Sequence, residues 1–128
     1  MTVSANHNGT QRRKLVARVK AQGRLCWICK LGIDPHARGE TAFNLDELNP
    51  RALGGSPLEY ANVDATHACC NNWRSTKSVA YVAEVRRVIS ALGMRYSTPT
   101  EFVALAKQVE AWMRSQHEVE GCNHTCEW

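Results

Sequence analysis

The sequence predicts a small α+β domain, mainly helical, stapled by a metal ion. Three observations carry this expectation. Two long stretches place apolar residues at helical spacing, and one short stretch alternates like a strand. Two tight Cys/His pairs stand on either side of that strand. The chain has 128 residues, near the usual size of one domain, so its core is modest and a bound metal would add to its folding energy.

Composition narrows the function classes. The apolar fraction of 44% is ordinary for a globular protein. No uncharged stretch approaches the roughly 18 apolar residues of a spanning helix. The opening "MTVSANHNGTQRRK" lacks the apolar core and cleavage site of a signal peptide. The expected location is therefore the cytoplasm, where six cysteines point to metal binding before disulfides. Net charge is +4 but uneven. Residues 1–30 hold seven basic and no acidic residues, or +7; the rest holds nine basic and twelve acidic, or −3. Such asymmetry suits a polyanionic partner, most often nucleic acid. A solvated basic helix face is the competing reading.

One domain is expected over residues 1–128, in five stretches. Residues 1–9 are polar and expected to be flexible. Residues 10–24 form a basic helix, with Leu15, Val16 and Val19 between Arg and Lys and with Gly23 as its stop. Residues 25–77 form the central module. In it "RLCWICKLGID" carries a Cys pair, "HARGE" is a loop, and "TAFNLDEL" alternates around Phe43 and Leu45 as a strand. "NPRALGGSP" is turn-rich, and "THACCNNWRSTKS" starts a helix at or just before His67.

Residues 78–115 hold two firmer helices. The first carries Val79, Val82, Val85, Val88, Ile89 and Leu92 on one side, with Gly93 as its stop; Arg86 and Arg87 interrupt it and read as a solvated face, with further DNA contacts as the lesser alternative. The second opens with Thr98 as N-cap, Pro99 at the first helical position and Glu101 completing a capping box. Phe102, Leu105, Ala106, Val109, Trp112 and Met113 then form its apolar stripe. Residues 116–128 are a tail. Its Cys122, His124 and Cys126, with His117 upstream, suit a second ion, but a disordered tail is the favoured reading.

Cys26-x-x-Cys29 and His67-x-x-Cys70 are two half-sites that can meet at one tetrahedral zinc. Thiolate and imidazole donors select zinc over magnesium. A C-x-x-C pair alone also fits a redox motif; the second pair makes structural zinc the better reading. If a helix begins near His67, then His67 and Cys70 share a face and Cys69 points elsewhere, as a small buried thiol. Trp27 and Trp73 flank the ligands and are expected to cover the metal rather than stack on bases.

Between the half-sites stand Asp46-Glu47, Pro50, Gly54-Gly55 and Asn62, and Asn71 follows Cys70. The order C-x-x-C, strand, D-(H)-x-x-P-x-x-x-G-G, N, then H/C-x-x-C-(H/N) resembles the HNH nuclease family, over about residues 25–77. Within it the chain is most similar to small stand-alone HNH proteins of actinobacteria and their phages, some of which carry D-E in place of D-H. The resemblance implies a zinc-stapled ββα-metal (His-Me finger) module that hydrolyses phosphodiester bonds of double-stranded DNA. It implies Asp46 and Asn71 as ligands of a catalytic Mg²⁺ or Mn²⁺, Glu47 in the place of the catalytic His, and Asn62 orienting the catalytic loop or the general base. It also implies the phage DNA-packaging terminase as a partner, with the host cytoplasm as the location. Hard oxygen donors at Asp46 and Asn71 do suit these cations.

Glu47 departs from the family pattern. A free Glu titrates near about 4.3 and a free His near about 6.5, so Glu is the weaker base unless its surroundings raise it. Glu47 is then a base with a raised pKa, an added metal ligand, or a substitution that weakens the site. The alternative function is a catalytically degenerate zinc-stapled DNA-binding or terminase-interacting module. Arg12, Arg13, Lys14 and Arg18 on the basic helix, with Arg74 and Lys77 after Asn71, are the expected phosphate contacts.

Overall fold

The computed structural model describes residues 2–49 and 59–120. Among them are four α-helices and a two-stranded antiparallel sheet. In order these are α1 (Thr2–Ala21), β1 (Phe43–Glu47), β2 (Val63–His67), α2 (Ala68–Arg74), α3 (Val79–Ala91) and α4 (Pro99–Glu120). The small, mainly helical α+β architecture expected from the sequence is what is observed. No described helix is long and apolar enough to cross a membrane.

The hairpin positions everything else. Asp46 lies opposite Asp64 and Glu47 opposite Val63. Successive strand residues point to opposite faces, so Asp46 and Glu47 diverge. Leu45, Val63 and Ala65 pack with Leu15 and Val19 of α1, forming one core. The other face meets the Cys26–Cys29 turn and α2: Cys26 Sγ is 3.3 Å from Thr66 Oγ1, and Trp27 reaches Asp46. His67 ends β2 and immediately precedes α2, so no linker separates strand from helix.

The second core joins this face to the C-terminal helices. Cys26, Ile28, Cys70 and Trp73 pack with Val82, Val85 and Ile89 of α3 and with Phe102, Ala106 and Val109 of α4. Phe102 meets Trp73 and Tyr96 edge-on, with ring centroids 5.7 and 5.0 Å apart. The expected stripes thus form the core, except that Val79, Leu92 and Trp112 stand exposed where the stripes run out. The cap signals hold as well. Glu101 N–H donates to Thr98 Oγ1 at 3.2 Å, and Glu101 Oε1 accepts from Thr98 N–H at 3.2 Å and from Ser97 N–H at 2.8 Å. The Ser97 N–H, first among these donors, holds the Glu101 carboxyl below its ordinary range.

Two boundaries differ from expectation. Helix α1 begins at Thr2, inside the stretch expected to be flexible. No proline interrupts the sequence there, and once a helix is nucleated each added residue gains a hydrogen bond. Helix α4 continues to Glu120, past the expected limit at 115. The Pro50, Gly54-Gly55 turn and the Cys122, His124, Cys126 tail lie outside the described residues.

Candidate metal centres

The first centre is the cluster of Cys26, Cys29, His67 and Cys70. All four are buried, and their sulfur and ring-nitrogen atoms lie within 4.8 Å of one another. A tight turn brings the first pair together: Lys30 N–H donates to Cys26 O at 2.8 Å, Cys29 N–H to Cys26 Sγ at 3.5 Å, and Cys26 N–H to Leu31 O at 2.9 Å. Lys30 closes this turn at a φ of 68°, a conformation that costs a side chain and suits glycine.

His67 is presented in one defined way. Its Nε2 faces the carbonyl oxygen of Gly32 at 2.9 Å, so Nε2 carries the proton. Nδ1 is left as the lone-pair donor, 3.4 Å from Cys29 Sγ and 3.9 Å from Cys70 Sγ. A far ring nitrogen held by a carbonyl is the usual outer support of a metal-binding histidine.

Three crowded thiols do not ionise together unaided. Contact with Cys29, then Cys70, lowers Cys26, and contact with Cys26 raises Cys29 to about 12 and raises Cys70 too. A divalent cation supplies the charge that allows three thiolates, and a Cys₃His donor set fits a metal such as zinc. Cys69 is buried outside the cluster, as its position one step round the helix predicts.

Helix α3 and the connection that follows it brace this turn. Arg86 Nη1 donates to Ile28 O at 3.0 Å, and Tyr96 Oη donates to Cys29 O at 2.7 Å. Arg86 is thereby corrected from solvated face to structural brace. Arg87 is the exposed one, paired with Glu84 at 2.6 Å.

The second centre surrounds Asp46. This carboxylate is buried on the α2 side of the hairpin, and its Oδ2 accepts from Trp27 Nε1 at 2.8 Å and from Arg74 Nη1 at 2.9 Å. Burial is the largest influence on the Asp46 carboxyl and raises it, while the attraction of Arg74 works against that rise. Asn71 is half-exposed on α2, one turn before Arg74 and about 60° round the helix from it. No side-chain hydrogen bond among the described residues engages Asn71. Glu47 is half-exposed on the opposite face of the hairpin.

Asn62 clamps the chain just past Glu47. Its Oδ1 accepts from Asn49 N–H at 2.9 Å, its Nδ2 donates to Asn49 O at 3.0 Å, and its carbonyl accepts from Leu48 N–H at 2.8 Å. The amide thus fixes the backbone that follows the Asp46-Glu47 dipeptide.

The expected phosphate contacts divide. Arg12, Arg13, Lys14 and Arg18 are exposed on α1, with the Arg18 guanidinium 3.7 Å above the Tyr60 ring. Arg74 is corrected: it is fully buried, and its guanidinium is consumed by Asp46, Glu47 O, Leu48 O and Lys77 O. Lys77 is half-occupied as well, donating to Trp73 O at 2.6 Å with Glu110 at 3.8 Å. Trp27 and Trp73 are buried covers, but each also spends its indole N–H on a carboxylate.

One polar centre escaped sequence reading. Glu110 is buried and accepts from Trp73 Nε1 at 2.8 Å and from Tyr81 Oη at 2.9 Å. The signal was its place eight residues after Phe102, on the buried side of an apolar helix.

No family model, curated protein or solved structure matches the chain.

Proposed function

We propose that the chain is a metal-dependent DNA endonuclease of HNH type, its hairpin and α2 forming a ββα-metal module stapled by zinc. The observation that supports this best is Asp46. A buried carboxylate is costly unless something requires it. This one stands at the hairpin end against the helix that bears Asn71. Asp46 and Asn71 are the residues that would hold Mg²⁺ or Mn²⁺, as one carboxylate and one amide oxygen with the remaining places left to water. When bound, such an ion supplies positive charge to the phosphoryl group and the leaving 3′ oxygen.

The remaining roles belong to this chain's own residues. The Glu47 carboxylate, on the other face of the strand end, would take the proton of the attacking water. Asn62 holds the loop that sets Glu47 in place. Arg12, Arg13, Lys14 and Arg18 would neutralise backbone phosphates without reading sequence, so binding should weaken steeply with salt. The phage terminase partner rests on the family resemblance alone, and the cytoplasmic setting on that resemblance and on the composition of the sequence.

A second reading has its own observation. The Asp46–Arg74 pair is already charge-balanced and buried, as a purely structural pair would be. On that reading the protein is a zinc-stapled DNA-binding module.

The two separate in a plasmid assay with Asp46→Asn, Asn71→Ala and Glu47→Gln. The nuclease reading expects cation-dependent cutting by wild type and losses of 100-fold or more in the Asp46 and Glu47 variants, roughly the scale of a lost base. DNA retention without cutting in any variant or the wild type supports the binding module. Full activity in Glu47→Gln with loss in Asp46→Asn removes Glu47 as the base.

A further inference from the structure

The two side-chain donors to Asp46 meet the same oxygen, Oδ2; Oδ1 receives neither. The guanidinium that supplies one of them is tied down at three more points. Arg74 Nη1 also donates to Glu47 O at 2.6 Å, Nη2 to Leu48 O at 2.6 Å, and Nε to Lys77 O at 2.7 Å. It lies 5.1 Å from the centre of the Trp27 ring. A fully buried guanidinium with four acceptors does not swing aside for a cation, because leaving would strand a carboxylate and three carbonyls. Arg74 is therefore a fixture and not a gate.

A carboxylate whose side-chain donors both meet one oxygen, with the Glu47 N–H also reaching the group, is held in a fixed orientation and presents Oδ1 in a set direction. Ligating carboxylates are commonly held this way by outer hydrogen bonds. We propose that Arg74 and Trp27 are positioning residues that present Asp46 as a one-oxygen ligand to the divalent cation. The same guanidinium, through the carbonyls of Glu47 and Leu48, fixes the strand end from which Glu47 projects. This inference rests on the reading of Asp46 as a cation ligand.

Charge gives the test its sign. A guanidinium at Oδ2 repels a nearby cation, so loosening a mere bystander at constant charge would leave metal binding unchanged or tighter. A positioning residue, on disturbance, leaves weaker binding. Trp27→Phe removes one neutral donor and keeps the ring, and Arg74→Lys keeps the charge but loses the fork.

The experiment is a Mn²⁺ titration of the zinc-loaded full chain, followed by the electron paramagnetic resonance of free Mn²⁺. Wild type, Asp46→Asn, Trp27→Phe and Arg74→Lys are compared, with circular dichroism confirming the fold. The expected result is Mn²⁺ binding weakened about tenfold or more in Trp27→Phe and Arg74→Lys. If Arg74→Lys does not fold, Trp27→Phe decides alone. Binding lost in Asp46→Asn but unchanged or tighter in folded Trp27→Phe and Arg74→Lys overturns the positioning role and leaves the Asp46 reading intact. Binding in wild type that Asp46→Asn does not alter overturns both.

Discussion

The Cys₃His cluster and the Asp46 centre both draw on α2, through Cys70 and through Arg74, and they are balanced in different ways. At Cys26, Cys29, His67 and Cys70 the donor atoms face one another, and among the described residues no Lys or Arg side chain is paired with the sulfurs. Their supports act from outside, at Gly32 O on the far ring nitrogen and through Arg86 and Tyr96 on the turn's carbonyls. At Asp46 the counter-charge is already in place, with Arg74 at 2.9 Å. The first centre is electrostatically complete only with a cation. The second is complete without one. Metal at the first should therefore govern folding, and metal at the second should govern activity alone.

Chelation breaks the comparison most severely. Complete removal of zinc should abolish the cooperative melt seen by circular dichroism, because metal binding supplies much of the folding energy of so small a domain. Withdrawal of Mg²⁺ alone should leave that melt unchanged. A zinc-free protein that melts as before would mean that the thiol cluster is stable unaided.

Next in size is the ion pair. Arg74→Met strands the Asp46 carboxylate and should cost about 3–5 kcal/mol in urea unfolding. Asp46→Leu combined with Arg74→Met should recover much of that loss, since a well-packed apolar pair often replaces a buried ion pair without penalty. A double variant as unstable as the single one would show that the strand-end carbonyls, and not the carboxylate, dominate the role of Arg74.

The braces come third. Tyr96→Phe deletes one hydrogen bond to Cys29 O and should cost about 1 kcal/mol, read by the same urea titration. The smallest effect is a gain. Lys30→Gly relieves a left-handed backbone next to Cys29 and should stabilise the zinc-loaded protein by about 1 kcal/mol or less, after the entropy cost of glycine. A loss instead would mean that the Lys30 side chain does more than close the turn.

The parts legible in the sequence were those written as spacing. Cys26, Cys29, His67 and Cys70 announced themselves by two short intervals, α3 and α4 by periodicity, and α4 also by its Thr98 cap. Charged residues with backbone partners were not legible. Arg74 read as a phosphate contact because its acceptors are mostly carbonyls of Glu47, Leu48 and Lys77, which leave no mark in the residue types. Arg86 was misread for the same reason. Glu110 and Arg86 lie four residues after the buried stripe positions Ala106 and Val82, on the packed side of their helices. The divergence of Asp46 and Glu47 was implicit in the strand, but it became useful only when register and helix placement showed which face each one occupies.

On the proposed reading, one chain carries two metal centres with separate duties. The most direct test of that reading is plasmid cleavage at low salt by wild-type protein holding one measured zinc per chain, with and without added Mg²⁺ or Mn²⁺. Nicked or linear DNA is expected only when the second cation is present, with zinc content unchanged throughout. Supercoiled plasmid left intact across both cations, by protein shown to be folded and zinc-loaded, would contradict it.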